Sequence, residues 1–191
     1  MNNDKRAMTN LFLIGYRCTG KSSVARLVAE KLGWDFVDAD ERMMKNTGES
    51  VAEIVSKGGW PLFRELEKDT LRSICLNSRQ VVATGGGVVE DDENIDLMKQ
   101  NGVVVWLRAC SRIILERMVG DTHTRDLRPP LTDRELKGEI EETLKKRTPL
   151  YRAAMTLEVD TGGKTLPGVS SEVISLLNSI GSIEIPPDTV S

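Results

Sequence analysis

Histidine is almost missing from this sequence: His123 is the only one in 191 residues. This argues against a histidine-built zinc site and against a Ser-His-Asp mechanism. Cysteine is scarce and odd in number. Cys18, Cys75 and Cys110 make no paired framework, and with no secretory signal they read as reduced thiols in a cytosol. The stretch Met1 to Asn10 is polar and lacks the apolar centre of a signal peptide. No apolar run approaches the ~20 residues that a membrane-spanning helix needs. Charge of one sign is not in excess either: 26 Lys and Arg stand against 29 Asp and Glu, a net charge of −3. Nothing global draws such a chain to nucleic acid or to an anionic membrane, so any anion site must be local. Internal repeats and low-complexity segments are lacking too.

What is present is ordinary for a globular chain, with 39% hydrophobic and 29% charged residues, and the length suits one domain with its own core. Apolar runs at Leu11–Ile14, Trp34–Val37, Val81–Ala83, Val103–Leu107 and Met155–Val159 predict five strands. Between them lie helical patterns. Val24, Leu27, Val28 and Leu32 share one face of a helix over Ser22–Leu32, which Gly33 stops. A helix is expected from Glu41 to about Asn46. Ser50-Val51-Ala52-Glu53 reads as a capping box opening another short helix. Pro61 suits the first turn of the next, which carries Leu62, Phe63, Leu66, Leu71 and Ile74 inward. Further helices are expected over Ser111–Val119, from Leu136 to near Pro149, and over Ser170–Ile180. Residues 120–131 are polar, charged and proline-terminated, and read as a mobile surface lid. This alternation predicts an α/β fold, a three-layer α/β/α sandwich on a five-stranded parallel sheet. The expected division is an N-terminal extension over 1–10, the domain over 11–180, and a loose tail over 181–191.

Gly15-Tyr16-Arg17-Cys18-Thr19-Gly20-Lys21-Ser22 fits G-x-x-x-x-G-K-[ST], between an expected strand and an expected helix. Glycines let such a loop wrap so that successive backbone N–H groups face phosphate oxygens. The helix that follows adds its positive end. Lys21 then reaches the β- and γ-phosphates, and Ser22 binds Mg²⁺. This is a P-loop, and it implies an ATP-using fold and activity. Cys18 stands where small-metabolite kinases of this type commonly have glycine. It reads either as a small residue that fits or as a thiol activated beside a helix N-terminus, and nothing else in the sequence supports redox control.

Asp38-Ala39-Asp40 follows the second strand directly. If strand geometry persists, the two carboxylates point to one side at the active edge of the sheet. One can orient Mg²⁺ and its waters; the other can bind an attacking hydroxyl and accept its proton. The plain alternative is a polar turn with Asp40 as a helix N-cap.

Together with Thr47-Gly48-Glu49-Ser50-Val51-Ala52-Glu53-Ile54, Phe63-Arg64-Glu65-Leu66-Glu67, Thr84-Gly85-Gly86-Gly87, Arg128-Pro129-Pro130-Leu131, Arg147-Thr148-Pro149-Leu150-Tyr151 and Val159-Asp160-Thr161, these elements resemble the shikimate kinase family, collinearly from about Leu11 to Ile180. The resemblance implies roles. Cys18, Thr19, Gly20, Lys21, Ser22 and Ser23 hold the nucleotide phosphates, and Ser22 and Asp38 hold Mg²⁺. Asp40 holds the ring hydroxyls of shikimate near the attacking one. Arg64 and Arg147 clamp its carboxylate, a task for which a planar guanidinium is suited, and Glu67 holds Arg64 in place. Gly85, Gly86 and Gly87 let backbone approach the substrate. Arg128 covers the transferring phosphate from the lid, and Arg117 and Lys164 lie on the adenine side, the latter near Pro167.

The chain departs from the family pattern at Cys18, at Trp60 (generally glutamate there), in a longer segment between Arg117 and Arg128 that brings in His123 and Arg125, and in the spacing from Asp160 to Pro167. Arg128 is preferred over Arg125 as the phosphate cover for its Arg-Pro-Pro-Leu context.

The expected reaction is therefore ATP plus shikimate giving ADP plus shikimate 3-phosphate, with Lys21, Asp40 and Arg128 as catalytic residues. A cytoplasmic, monomeric enzyme is expected, with no nucleic-acid or membrane partner. Two rival readings are a kinase for gluconate or a nucleoside monophosphate, and a nucleotide-dependent switch. The arginine pair disfavours nucleosides, and the Asn-Lys-x-Asp element of a guanine-reading switch is lacking.

Overall fold

The computed structural model describes residues 10–120 and 133–181. Five strands, β1 (Asn10–Ile14), β2 (Asp35–Asp38), β3 (Gln80–Ala83), β4 (Gly102–Arg108) and β5 (Leu157–Asp160), form one sheet in the order β2-β3-β1-β4-β5. Every neighbouring pair is parallel. Parallel strands are covered on both faces, so their sequences are runs of apolar residues. Accordingly, Leu11 to Ile14 and Val103 to Leu107 are all buried. Successive side chains of β1 enter opposite cores. Leu11 and Leu13 join Val24, Val28, Val173 and Leu177 on one face. Phe12 and Ile14 join Leu71, Met98, Trp106 and Tyr151 on the other.

Among the described residues the helices are α1 (Lys21–Leu32), α2 (Ala39–Thr47), α3 (Val51–Ile74), α4 (Asp92–Asn101), α5 (Ser111–Gly120), α6 (Asp133–Ala154) and α7 (Leu166–Ile180). Helices α1 and α7 cover one face, and α3, α4 and α6 the other. The expected three-layer sandwich is thus the observed one. The capping box is present in full: the Ser50 hydroxyl accepts from Glu53 N–H, and the Glu53 carboxylate accepts from Ser50 N–H. The two helices expected on either side of Pro61 are both present within α3, which breaks at Gly59, whose φ of 68° and ψ of −171° are non-helical.

Several elements differ from expectation. Asn10 belongs to β1 rather than to an extension. Its buried amide donates to Asn77 O and accepts from Gln80 N–H, pinning the start of β3. Helix α6 runs through Pro149 to Ala154. Burial of Tyr151 and Ala154 against the sheet offsets the backbone bond that a proline cannot make. Helix α7 begins four residues before Ser170, where Thr165 caps it and Pro167 occupies its first turn. Helix α4 was not expected at all.

The loops after β1, β2 and β3 emerge side by side at the carboxyl edge of the sheet, where open α/β sheets bind ligands.

Candidate active site

The loop after β1 is wound as a phosphate cradle. Gly15 has a φ of 144°, and a Cβ there would lie 2.4 Å from the Leu107 carbonyl oxygen of β4, so only glycine fits this close approach. Cys18 adopts a left-handed φ of 61°, which explains on backbone grounds why glycine is the usual occupant. The Thr19 hydroxyl donates to Tyr16 O at 2.8 Å and closes the turn. Lys21 curls back over the loop and donates through Nζ to Gly15 O and Tyr16 O at 2.9 and 3.0 Å. Burial pushes its ammonium down to about 8, with Asp40 and Asp38 pulling the other way.

Strand β2 does not carry both aspartates on one side. Asp38 ends the strand and is itself the N-cap of α2, its Oδ1 accepting from the backbone N–H of Asp40 and Glu41. Asp40 lies in the first helical turn. The carboxylates are brought together by the cap rather than by strand alternation, and the cap is Asp38, not Asp40. Asp38 Oδ2 accepts from the Ser22 hydroxyl at 2.6 Å. A hydroxyl and one carboxylate are hard oxygen donors, and few of them. That set suits Mg²⁺, which keeps waters and phosphate oxygens in its shell, better than an all-protein metal cage. Among the described residues no cluster of three or more metal-binding side chains exists. Asp40 is raised above the usual carboxylate range, by burial first and then by Asp38, while Lys21 and Arg64 oppose the rise.

A cavity of about 440 Å³ opens beside the cradle, bounded by α3, the loop after β3, and α6. Arg64 and Arg147 face into it with Asp40, Glu67, Gly85, Gly86 and Gly87. Arg64 Nη1 donates to Glu67 Oε2 at 2.6 Å. Glu67 is buried, and this burial raises its pKa despite Arg64. Arg147 Nη1 reaches Gly86 O at 3.4 Å, and the Tyr151 hydroxyl donates to the same carbonyl at 2.5 Å. Glycine is required sterically in this loop. A Cβ on Gly85 would meet Glu67 Oε1 at 2.5 Å and Asp40 Oδ1 at 3.0 Å, and one on Gly87 would meet Arg64 Nη2 at 2.1 Å.

The phosphate side is a second cavity, lined by Lys21, Ser22, Ser23, Asp38 and Thr84. Asp40, Arg17 and Gly86 line both cavities, so the cradle and the arginine-lined chamber share a wall. A third cavity, lined by Cys18, Gly20, Arg117, Thr161, Lys164 and Leu166, lies on the far side of the P-loop.

A family model for shikimate kinase matches residues 17–178. The chain belongs to the shikimate kinase family. A shikimate kinase of Thermodesulfovibrio yellowstonii is 45% identical over 167 residues, covering 87% of this chain and 94% of that protein. One from Rhodopirellula baltica is 35% identical, covering 97% of this chain and 100% of the other. Among solved structures, shikimate kinase from Acinetobacter baumannii in complex with shikimate superimposes with a TM-score of 0.82 at 30% identity, covering 91% of this chain and 94% of that one. A gluconokinase from Sinorhizobium meliloti shares the fold alone, at 18% identity and a TM-score of 0.58.

In this shikimate kinase-family chain, the sequence-based site residues fall into three groups. Cys18, Gly20, Lys21, Ser22, Ser23 and Asp38 meet at the cradle, while Thr19 is buried and closes its turn. Asp40, Arg64, the three glycines and Arg147 meet in the chamber. Arg117 and Lys164 meet in the third cavity. There Arg117 donates to Cys18 O, Thr161 Oγ1 and Thr161 O, which ties α5 to the P-loop and to the end of β5. Lys164 pairs with Glu172 at 2.6 Å. The lid with His123, Arg125 and Arg128 lies outside the described residues.

Sequence reasoning missed Arg17, Tyr151 and Glu90 as parts of the site. Arg17 lies inside the P-loop motif at a place whose residue the motif leaves open. Tyr151 lies beyond a proline that had marked a helix end. Glu90 carried no motif signal at all.

Proposed function

We propose that this chain transfers the γ-phosphate of ATP to the 3-hydroxyl of shikimate, giving ADP and shikimate 3-phosphate in chorismate and aromatic amino-acid biosynthesis. The observation that carries this reading is the shared wall: Asp40 borders both the phosphate cradle and the chamber with two arginines. A hydroxyl held at Asp40 is next to the end of a triphosphate held by the cradle. Phosphoryl transfer depends on such positioning and on charge neutralisation more than on a strong base.

Each residue then has a task. The P-loop N–H groups and Lys21 take the phosphates. Ser22 and Asp38 would hold Mg²⁺, which neutralises phosphate charge when bound. Arg64 and Arg147 fix the substrate carboxylate, and Glu67 orients Arg64. The substrate oxygen forms its bond to the γ-phosphorus as the bond to the β-bridging oxygen breaks. The hydroxyl proton passes to the Asp40 carboxylate, whose raised pKa favours accepting it. Arg128 covers the transferring group from the lid, and lid closure keeps out water. Arg117 and Lys164 flank the base.

Coupled ADP release with Mg-ATP tests the reading. Release should depend on shikimate and not on gluconate. Arg64→Ala should lower kcat/KM for shikimate about ten- to hundredfold, as expected for a lost charge-assisted contact, with the KM for ATP little changed. Arg64→Lys keeps the charge beside buried Glu67 but lacks the planar fork, and should fall between the two. ATP turnover indifferent to shikimate would defeat the substrate assignment.

A further inference from the structure

The clamp in this structure already holds a carboxylate. Glu90 ends the short 3-10 turn that follows the triple glycine. One oxygen of its side chain accepts from Arg64 Nη2 at 2.6 Å, and the other accepts from Arg147 Nε at 3.0 Å. One carboxylate thus bridges both arginines, as the carboxylate of a bound acid would. We propose that Glu90 is an internal occupant of the carboxylate clamp, and that shikimate enters by exchanging its own carboxylate for that of Glu90. This rests on the reading of the chamber as the shikimate site.

Charge balance carries the exchange. Around the clamp, the guanidinium groups of Arg64 and Arg147 pair with two carboxylates, Glu67 and Glu90, and the Asp40 carboxylate lines the same chamber. A further carboxylate added without loss of one would leave like charges crowded in a half-buried chamber, at a cost that grows as water is excluded. The two resident carboxylates are not equally able to leave. The Glu67 side chain is 4% exposed and Glu90 is 38% exposed. Glu67 would carry its charge nowhere, whereas Glu90 reaches solvent by side-chain rotation alone. Its backbone stays where it is, its N–H donating to Gly87 O at 2.9 Å. Glu90 therefore sets the fraction of molecules with an open clamp, and apparent affinity falls by that fraction. It acts on the substrate through Arg64 and Arg147 and is a positioning residue, not a catalytic one.

The test compares the full-length protein with Glu90→Gln, which keeps the shape and removes the charge. Shikimate binding is measured by calorimetry, and turnover by coupled ADP release. The expected result is a Kd and a KM for shikimate lower by about three- to tenfold in Glu90→Gln, the range for a half-exposed ion pair, with kcat and the KM for ATP within about twofold. The methyl ester of shikimate carries no charge to exchange, so its affinity should be the same for both proteins. An unchanged or weakened shikimate affinity in Glu90→Gln, or an equal gain for the ester, overturns the exchange while leaving the substrate assignment standing. Failure of both proteins to bind shikimate overturns the assignment and the exchange together.

Discussion

Lys21 must be a cation in a place that disfavours cations. Its Nζ has two backbone carbonyls as partners, and burial lowers its pKa to about 8 although Asp40 and Asp38 stabilise the charge. The group is protonated below that pH and neutral above it. Bound triphosphate needs the protonated form, so ATP binding draws on a population that shrinks as pH rises through about 8. The KM for Mg-ATP should therefore be flat from pH 7 to just below 8 and rise above it, by up to about tenfold per pH unit. In Lys21→Arg the guanidinium does not titrate in this range. Whatever its starting KM, that variant should show no such rise. Initial-rate kinetics from pH 7 to 9.5 decide the point: a flat profile for the unsubstituted protein would mean that Lys21 stays charged throughout.

The triple-glycine loop after β3 shapes the chamber without offering a side chain. Gly87 has a φ of −108°, which alanine tolerates, so its glycine is not a backbone requirement. It is a requirement of space: a Cβ would fall 2.1 Å from Arg64 Nη2 and 2.7 Å from Cζ. These atoms are the end of a flexible side chain, which can move away without unfolding anything. Gly87→Ala should therefore still fold, but melt about 2–8 °C earlier, because a displaced Arg64 leaves the buried Glu67 carboxylate without its partner. It should also raise the KM for shikimate about tenfold or more by displacing Arg64 from the clamp. Thermal denaturation and steady-state kinetics on one preparation would separate the two effects.

Elements also mark where the sequence was readable. The P-loop, the Ser50 capping box and the glycine loop are local chemistry and appear where their residues place them. Pro149 misled because its local rule is outweighed by the burial of Tyr151, which also stacks on Trp106 with ring centroids 5.6 Å apart. Helix α4 offers only Ile95, Leu97 and Met98 as apolar residues, too few for a clear period, although Asp91 caps it. Asp38 and Asp40 were paired for the wrong geometric reason, since an N-cap and a strand end look alike in a three-residue window. Glu90 is out of reach of any such window: its partners are 26 and 57 positions away, and only the fold brings them together.

At the scale of the whole molecule, stability and catalysis are held in different places. The two apolar layers run along the body of the sheet, whereas the site residues gather at its carboxyl edge, on loops, helix starts and the parts of α3 and α6 that border the chamber. Leu177 tests this separation. It is fully buried in the α1–α7 layer, in the second half of α7 and away from the residues that line the cavities. Truncating a buried leucine removes transfer energy and leaves a void, at a cost of about 2–5 kcal/mol. For a domain of this size that lowers Tm by about 4–20 °C. Leu177→Ala should accordingly melt earlier while keeping kcat/KM at 25 °C within about twofold. On the proposed function, Mg-ATP would bind the folded cradle and not the unfolded chain, so at one hundred times its Kd it should return about 2.7 kcal/mol to both proteins. The melting curves of the variant and the unsubstituted protein would then move up together. If ATP rescued the variant much less, the α7 layer would be coupled to the cradle, and the division between a body that gives stability and an edge that gives chemistry would not hold.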